Sequence, residues 1–128
     1  MPKAPAPQVQ LFGFEDSQPT RAAQRFFKER RVTVHFVDLK RRAIAPGELK
    51  RFVERLGATA LLDREGKAFR SAGLGYMRLD DGEIVERLLA DPRLLRLPLV
   101  RFGNQLTAGP DESAWARWLQ TPGVMEAR

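Results

Sequence analysis

Apolar residues along the chain switch between a period of two and a period near 3.6, and the switches mark its elements. From Gln8 the chain alternates, with Val9 and Leu11 set against Gln8 and Gln10, and runs into Leu11-Phe12-Gly13-Phe14. That is a strand closed by a glycine. Glu15-Asp16-Ser17-Gln18-Pro19-Thr20 supplies an N-cap and a proline suited to a first helical turn. Ala22, Ala23, Phe26 and Phe27 then carry the apolar side of a helix to about Arg31. Val32 to Asp38 is β-branched and aromatic and reads as a second strand. Strands joined by a helix-length crossover pair in parallel. Pro46-Gly47-Glu48 introduces a helix through about Leu56, with Leu49, Phe52, Val53 and Leu56 on one face and Gly57 at its end. Ala60-Leu61-Leu62 predicts a helical turn, Asp63-Arg64-Glu65-Gly66 a polar loop, and Ala68 to Leu74 a short helix. Asp81 to Ala90 is a longer helix, apolar at Ile84, Val85, Leu88 and Leu89, and Asp91-Pro92 stops it. Leu97 to Phe102 and Gln105 to Ala108 flank Gly103-Asn104 as an antiparallel hairpin. Asp111 to Leu119 is a capped amphipathic helix carrying Trp115, Trp118 and Leu119.

The 128 residues suit one core and are too few to suggest two. Residues 1–7, with three prolines, read as an extended leader; 8–120 as a single domain with a helical insert over about 46–92; and 121–128 as a tail. Apolar content of 43% with 30% charged residues fits a globular chain. No run approaches the roughly 18 apolar residues of a membrane span, and MPKAPAPQ lacks the apolar segment of a secretory signal. The expected location is the cytoplasm. The 22 basic and 16 acidic residues give a net charge of +6, but the basic ones are spread along the chain and interleaved with acids. They read as a solvated surface, which argues against a nucleic-acid face. Cysteine is absent, which excludes disulfides, thiolate metal ligands, iron–sulfur ligation and thiol redox chemistry by the chain's own side chains.

The order β-α-β, helical insert, β-β-α is that of a thioredoxin-like α/β fold with a mixed four-stranded sheet flanked by helices. Within it, Gln10-Leu11-Phe12-Gly13-Phe14-Glu15-Asp16-Ser17 followed by Arg21-Ala22-Ala23 resembles the opening of the arsenate reductase (ArsC) and Spx family. The resemblance continues through Val37-Asp38, Glu48-Leu49, Leu56-Gly57 and Leu61-Leu62-Asp63-Arg64-Glu65-Gly66. It extends through Asp91-Pro92-Arg93-Leu94-Leu95-Arg96-Leu97-Pro98-Leu99-Val100 and closes with Gly103 to Gly109 and the last helix, covering roughly 8–120. It implies that Pro98, opening the third strand, is a cis-proline beside the site.

The departures from the family bear on function. Where the family has a nucleophilic Cys at a helix N-terminus, this chain has Ser17. A thiol ionises near pH 8.5, whereas an alcohol needs a dedicated base, and the sole histidine, His35, lies in the middle of a strand. Ser17 therefore reads first as a helix cap. The resemblance puts the family's oxyanion-binding arginines at Asp63, Leu97 and about Ala108, none of which is basic here. Arg64 and Arg96 stand one residue away and serve an anion only if their side chains turn inward. Arg21 matches the family's basic position on the first helix and leaves weak anion binding at its N-terminus. His35 has no companion at metal-ligand spacing, Glu48, Glu54, Asp80 and Asp81 read as surface or capping carboxylates, and Trp115 and Trp118 as core and rim aromatics. No metal and no resident cofactor are expected.

Two functions follow from the resemblance. In the first, the chain keeps the scaffold without the chemistry and binds a protein partner in a regulatory role, RNA polymerase being the partner by analogy with Spx. In the second, it is an arsenate reductase-like or glutaredoxin-like oxidoreductase, or a glutathione-binding protein, in which an external thiol such as glutathione engages the backbone at Leu97-Pro98-Leu99.

Overall fold

The first helix starts where its residues require. In the computed structural model, which describes residues 7–120, Ser17 is the N-cap of α1 (Gln18–Glu29), with extended backbone at φ −83° and ψ 123°, and Pro19 sits in the first turn. Proline is suited there because its missing N–H would have had no partner in the helix. The helix buries Ala23, Phe26 and Phe27. It ends at Arg30, after which Arg31 takes a positive φ of 60° and the Val32 N–H turns back to donate to the Phe27 carbonyl at 2.9 Å.

Strand β1 (Gln8–Gly13) pairs in parallel with β2 (Thr33–Asp38), the two joined by α1 as the crossover rule requires. On its other side β1 pairs antiparallel with β3 (Leu99–Phe102), which pairs antiparallel with β4 (Gln105–Ala108). The sheet order is β2-β1-β3-β4, the mixed four-stranded arrangement expected from the element order. The hairpin turn has a positive φ at Gly103 alone, 61°, the backbone of a type II′ turn, in which glycine comes first. β3 is shorter than its apolar run because Pro98 has no N–H to give a ladder. Pro98 instead accepts from the Gly109 N–H through its carbonyl at 2.9 Å, and the Leu97–Pro98 bond is cis.

Alternation along β1 divides the interior in two. Val9 and Leu11 face α1 and α5 (Glu112–Gln120), where they meet Phe26, Phe27, Trp115 and Trp118. Trp115 is 1% exposed, and its indole N–H donates to Thr107 Oγ1 at 2.9 Å, so the polar edge of a large buried ring is satisfied. Phe12 faces the other way, into the helical insert, and meets Leu49 and Phe52 of α2 (Pro46–Leu56). Each such fully buried apolar side chain stabilises the fold by about 1.5–3 kcal/mol. Gly57, at φ 87°, ends α2.

The remainder of the insert is a series of short pieces. A 3₁₀ turn at Thr59–Leu61 precedes α3 (Lys67–Ser71), which is shorter than the apolar spacing predicts because Gly73 adopts φ 69° and the chain starts again as a 3₁₀ turn at Leu74–Tyr76. α4 (Asp81–Ala90) carries a reciprocal capping box, Asp80 accepting from the Glu83 N–H at 2.8 Å and Glu83 from the Asp80 N–H at 3.0 Å. A 3₁₀ turn at Pro92–Leu94 leads to β3. The two ends of the insert are tied by an antiparallel bridge between Leu62 and Leu95, in which Asp63 N–H donates to Leu94 O at 2.9 Å and Arg96 N–H to Leu61 O at 2.8 Å. That bridge fixes where Asp63 stands. The expectations for a leader over 1–7 and a tail over 121–128 fall, except for Pro7, outside the described residues. Pro7 already accepts from the Thr33 N–H at 2.9 Å.

Candidate functional site

A cleft of about 660 Å³ opens at the C-terminal end of β1. Phe14, Ser17 and Pro19 form one wall, α3 with Asp63 in front of it forms the second, and Asp91, Arg93, Leu95 and Leu97 form the third. Ligands in open α/β sheets bind outside the carboxyl ends of strands. The topology therefore brings the first loop, the insert and the residue before Pro98 into one place, as the sequence reading requires.

Ser17 is committed to its helix. Its Oγ accepts from the Thr20 N–H at 3.4 Å, a long cap contact, its N–H donates to Phe14 O at 3.0 Å, and its carbonyl accepts from the Arg21 N–H at 2.9 Å. Among the described residues no basic side chain is hydrogen-bonded to the Ser17 hydroxyl. His35 lies on β2 with its Nε2 against Gln8 Oε1, near the start of the sheet, so it serves Ser17 neither as base nor as orienting group. Arg21 turns back along the loop and donates to Glu15 O at 3.2 Å. Asp16 pairs outward with Lys40 at 2.7 Å, and that hydrogen bond holds its carboxyl below the ordinary range.

One of the cleft's cations is engaged by a carboxylate of the same wall. Asp91 receives a two-pronged contact from Arg93, Nε to Oδ1 at 3.0 Å and Nη2 to Oδ2 at 3.1 Å. The Arg93 hydrogen bond holds Asp91 below its usual value, and the guanidinium fork that matches an oxyanion is already filled by a carboxylate. Asp63 folds over Gly66, where a Cβ would lie 2.5 Å from its Oδ2, so a larger residue there displaces the carboxylate. An arsenate or phosphate entering the cleft meets this half-buried carboxylate where the family resemblance places an arginine, and like charges a few ångströms apart repel by about 1–4 kcal/mol between water and a protein surface.

Of the other sequence-derived site residues, Arg96 lies across Gly109, whose Cβ would stand 2.7 Å from its Nε, and Arg64 is exposed. Neither is among the residues lining the cleft, whereas Leu97 is. Pro98 is buried behind Leu97. The cations on the wall are Lys67 and Arg93, which sequence reasoning passed over. Asp91-Pro92-Arg93 carried a usable signal, since an Asp two residues before an Arg at a 3₁₀ start both caps and pairs: Asp91 Oδ1 also accepts the Arg93 N–H at 3.1 Å. Thr20, fully buried beneath the loop, leaves its Oγ1 without a hydrogen-bond partner, pressed against Gly13. Among the described residues no group of three or more His, Asp or Glu side chains is placed to hold a metal ion, and no helix is long and apolar enough to cross a membrane.

Solved structures similar to this one share its thioredoxin-like fold. The YFFB (PA3664) protein is 25% identical with a TM-score of 0.79 over 85% of this chain and 96% of that one. An arsenate reductase from Vibrio cholerae is 18% identical with a TM-score of 0.74 over 87% and 98%. An arsenate reductase (ArsC) related protein from Brucella melitensis is 19% identical with a TM-score of 0.67 over 94% and 100%. No curated protein matches the sequence. Residues 12–118 match the ArsC family, most of the chain and all three walls of the cleft, and the protein belongs to the ArsC family, as a member without cysteine.

Proposed function

We propose that the chain is a non-redox member of the ArsC family that acts in the cytoplasm by binding a protein partner. The observation that carries the reading is the state of the cleft. Its nucleophile position is Ser17, engaged as a helix cap, with no base hydrogen-bonded to it among the described residues, and its best oxyanion fork is closed on Asp91. Loss of the thiol alone would remove the reaction and leave an anion site. Here Asp63 stands in the anion site and Arg93 is engaged by Asp91 as well, which supports a use of the scaffold other than on arsenate.

RNA polymerase is the partner to test first, on the strength of the resemblance to Spx. Co-sedimentation of the purified chain with purified polymerase, read as a stoichiometric complex, supports that identity; a different stable partner supports the binding role and removes the polymerase. A second reading rests on Leu97, which lines the cleft immediately before Pro98, where the family resemblance places backbone recognition of glutathione. An assay of arsenite release separates the two. The binding role expects no turnover with reduced glutathione and arsenate, and thiol-dependent arsenite release overturns it.

A further inference from the structure

Away from the cleft, near the start of β1, the sheet is lined by three arginines, Arg51, Arg55 and Arg101, against two carboxylates, Glu48 and Glu54. α2 covers the sheet at Phe12, where Phe12 and Phe52 meet edge to face at 5.9 Å. Two residues earlier the same face is open. The pairing register sets His35, Gln10, Arg101 and Leu106 in one row across all four strands, and alternation sends Gln10 to the same side as Phe12. Cavities of about 560, 430 and 410 Å³ open along this row, and Arg101 lines all three. They are lobes of one groove. Crossing four strands at about 4.8 Å spacing spans about 14 Å, the length of roughly four extended residues.

The groove's cations outnumber its free carboxylates. Arg51 lines two of the lobes and Arg55 one, with Arg101 between them. Of the two carboxylates on the walls, Glu48 is held by both arms of Arg42, at 2.9 and 3.0 Å, which leaves Glu54. Arg55 Nη2 donates to Asn104 O at 2.6 Å and Arg101 Nε to Gly103 O at 3.1 Å. Each of these two guanidinium groups is thus steadied by the hairpin turn while most of its donors stay unused. Arg51 makes no side-chain hydrogen bond or ion pair within 4 Å among the described residues. Guanidinium groups gathered in this way repel until an anion enters, and their planar fork fits a carboxylate on two bonds.

The chemistry of the floor selects between kinds of polyanion. Single-stranded nucleic acid is held by bases stacked on exposed aromatic faces, and Phe12 and Phe52 are each 1% exposed, which leaves a single exposed ring in the groove, His35, hydrogen-bonded to Gln8. What the groove offers beside its arginines is amide chemistry, Gln8 and Gln10, which suits a peptide main chain. We infer that this groove binds an extended acidic segment of a partner protein, its carboxylates on Arg51, Arg55 and Arg101 and its main chain over Gln10. The inference rests on the partner-binding reading but uses a surface separate from the Ser17 cleft.

Fluorescence anisotropy with a labelled ten-residue peptide alternating Glu and Gly tests it, in low salt, against the same peptide with Gln for Glu and against a ten-nucleotide oligouridylate. The expected result is saturable binding of the Glu peptide, at least tenfold weaker for the Gln peptide and for the oligouridylate. Arg51→Glu, at an exposed position, lowers Glu-peptide affinity at least tenfold, whereas Arg21→Glu beside the cleft changes it less than twofold. Arg51→Gln gives an intermediate loss, and an unchanged thermal unfolding midpoint shows that both variants are folded. Absence of binding to the Glu peptide, equal binding of Glu and Gln peptides, tighter binding of the oligouridylate, or indifference to Arg51→Glu overturns the inference. Arsenate turnover bears on the cleft alone, so the two readings fail separately.

Discussion

The cleft at Ser17 and the groove at Arg101 lie at opposite ends of β1 and handle charge differently. In the cleft a carboxylate closes the arginine fork, Asp91 on Arg93, and Asp63 occupies the place where the family resemblance calls for a cation. In the groove the carboxylate that has a strong partner, Glu48, is taken by an arginine from outside, Arg42, and Arg51, Arg55 and Arg101 keep donors to spare. Family membership points to the first region; the surplus of arginines points to the second. A scaffold can keep its fold, its cis-proline and its loop while its affinity for anions moves elsewhere, because the core depends on Phe12, Phe52 and Trp115 and on none of the charged groups.

Substitutions test this contrast in descending size. Phe52→Ala empties the floor of the groove and costs about 3–5 kcal/mol of unfolding free energy, measured by denaturant titration; a loss below about 1 kcal/mol would show that α2 does not press on the sheet there. Gly13→Ala at the cleft end places a Cβ 2.4 Å from Thr20 Oγ1 and 2.7 Å from its Cγ2, overpacking worth about 1–3 kcal/mol. Adding Thr20→Ala removes both of those atoms and recovers part of the loss, which a double-mutant cycle reads directly. Ser17→Ala deletes a cap whose contact is long, 3.4 Å, so its cost lies at the low end of cap deletions, about 0.5 kcal/mol, and peptide binding in the groove stays as it was.

The smallest effect is on acid stability. Hydrogen bonds from Arg42 and Arg93 lower the pKa values of Glu48 and Asp91 below their ordinary 4.5 and 3.8. A carboxyl depressed on folding contributes stability that is complete above its unfolded value and is lost as pH falls through its folded one. Stability is therefore indifferent to these two groups from pH 7 to about 5. As pH is lowered further it declines as both carboxyls take up protons. Glu48→Gln and Asp91→Asn each flatten part of that decline, read as unfolding midpoint against pH. A decline unchanged by either substitution shows that the corresponding pair adds no stability.

How far the sequence discloses each region follows from the range of the interactions that make it. Helix α2 between Pro46 and Gly57, α4 behind the capping pair Asp80 and Glu83, and the hairpin around Gly103 depend on neighbours a few residues away, so periodicity and turn chemistry reveal them. α3 is misjudged at its end because Leu74 continues the apolar spacing although Gly73 has already left the helix. Ser17 as a cap is legible from Pro19 two residues on. Arg93 in the cleft is harder to see, since its place depends on the Leu62–Leu95 bridge across the insert. The groove is not legible from local pattern: Arg101 stands opposite Gln10 through the pairing of β1 with β3 and shares a cavity with Arg51 through the seating of α2, relations between residues far apart in the chain.

Release of arsenite from arsenate, followed with wild type and with Ser17→Cys in the presence of reduced glutathione, decides most directly whether the cleft has given up its relatives' chemistry. The expected result is no arsenite above the protein-free control for wild type, and none for Ser17→Cys either, because Asp63 and the closed Asp91–Arg93 pair still leave arsenate unbound. Turnover by the wild-type chain that rises with protein concentration, or turnover by Ser17→Cys, would contradict it.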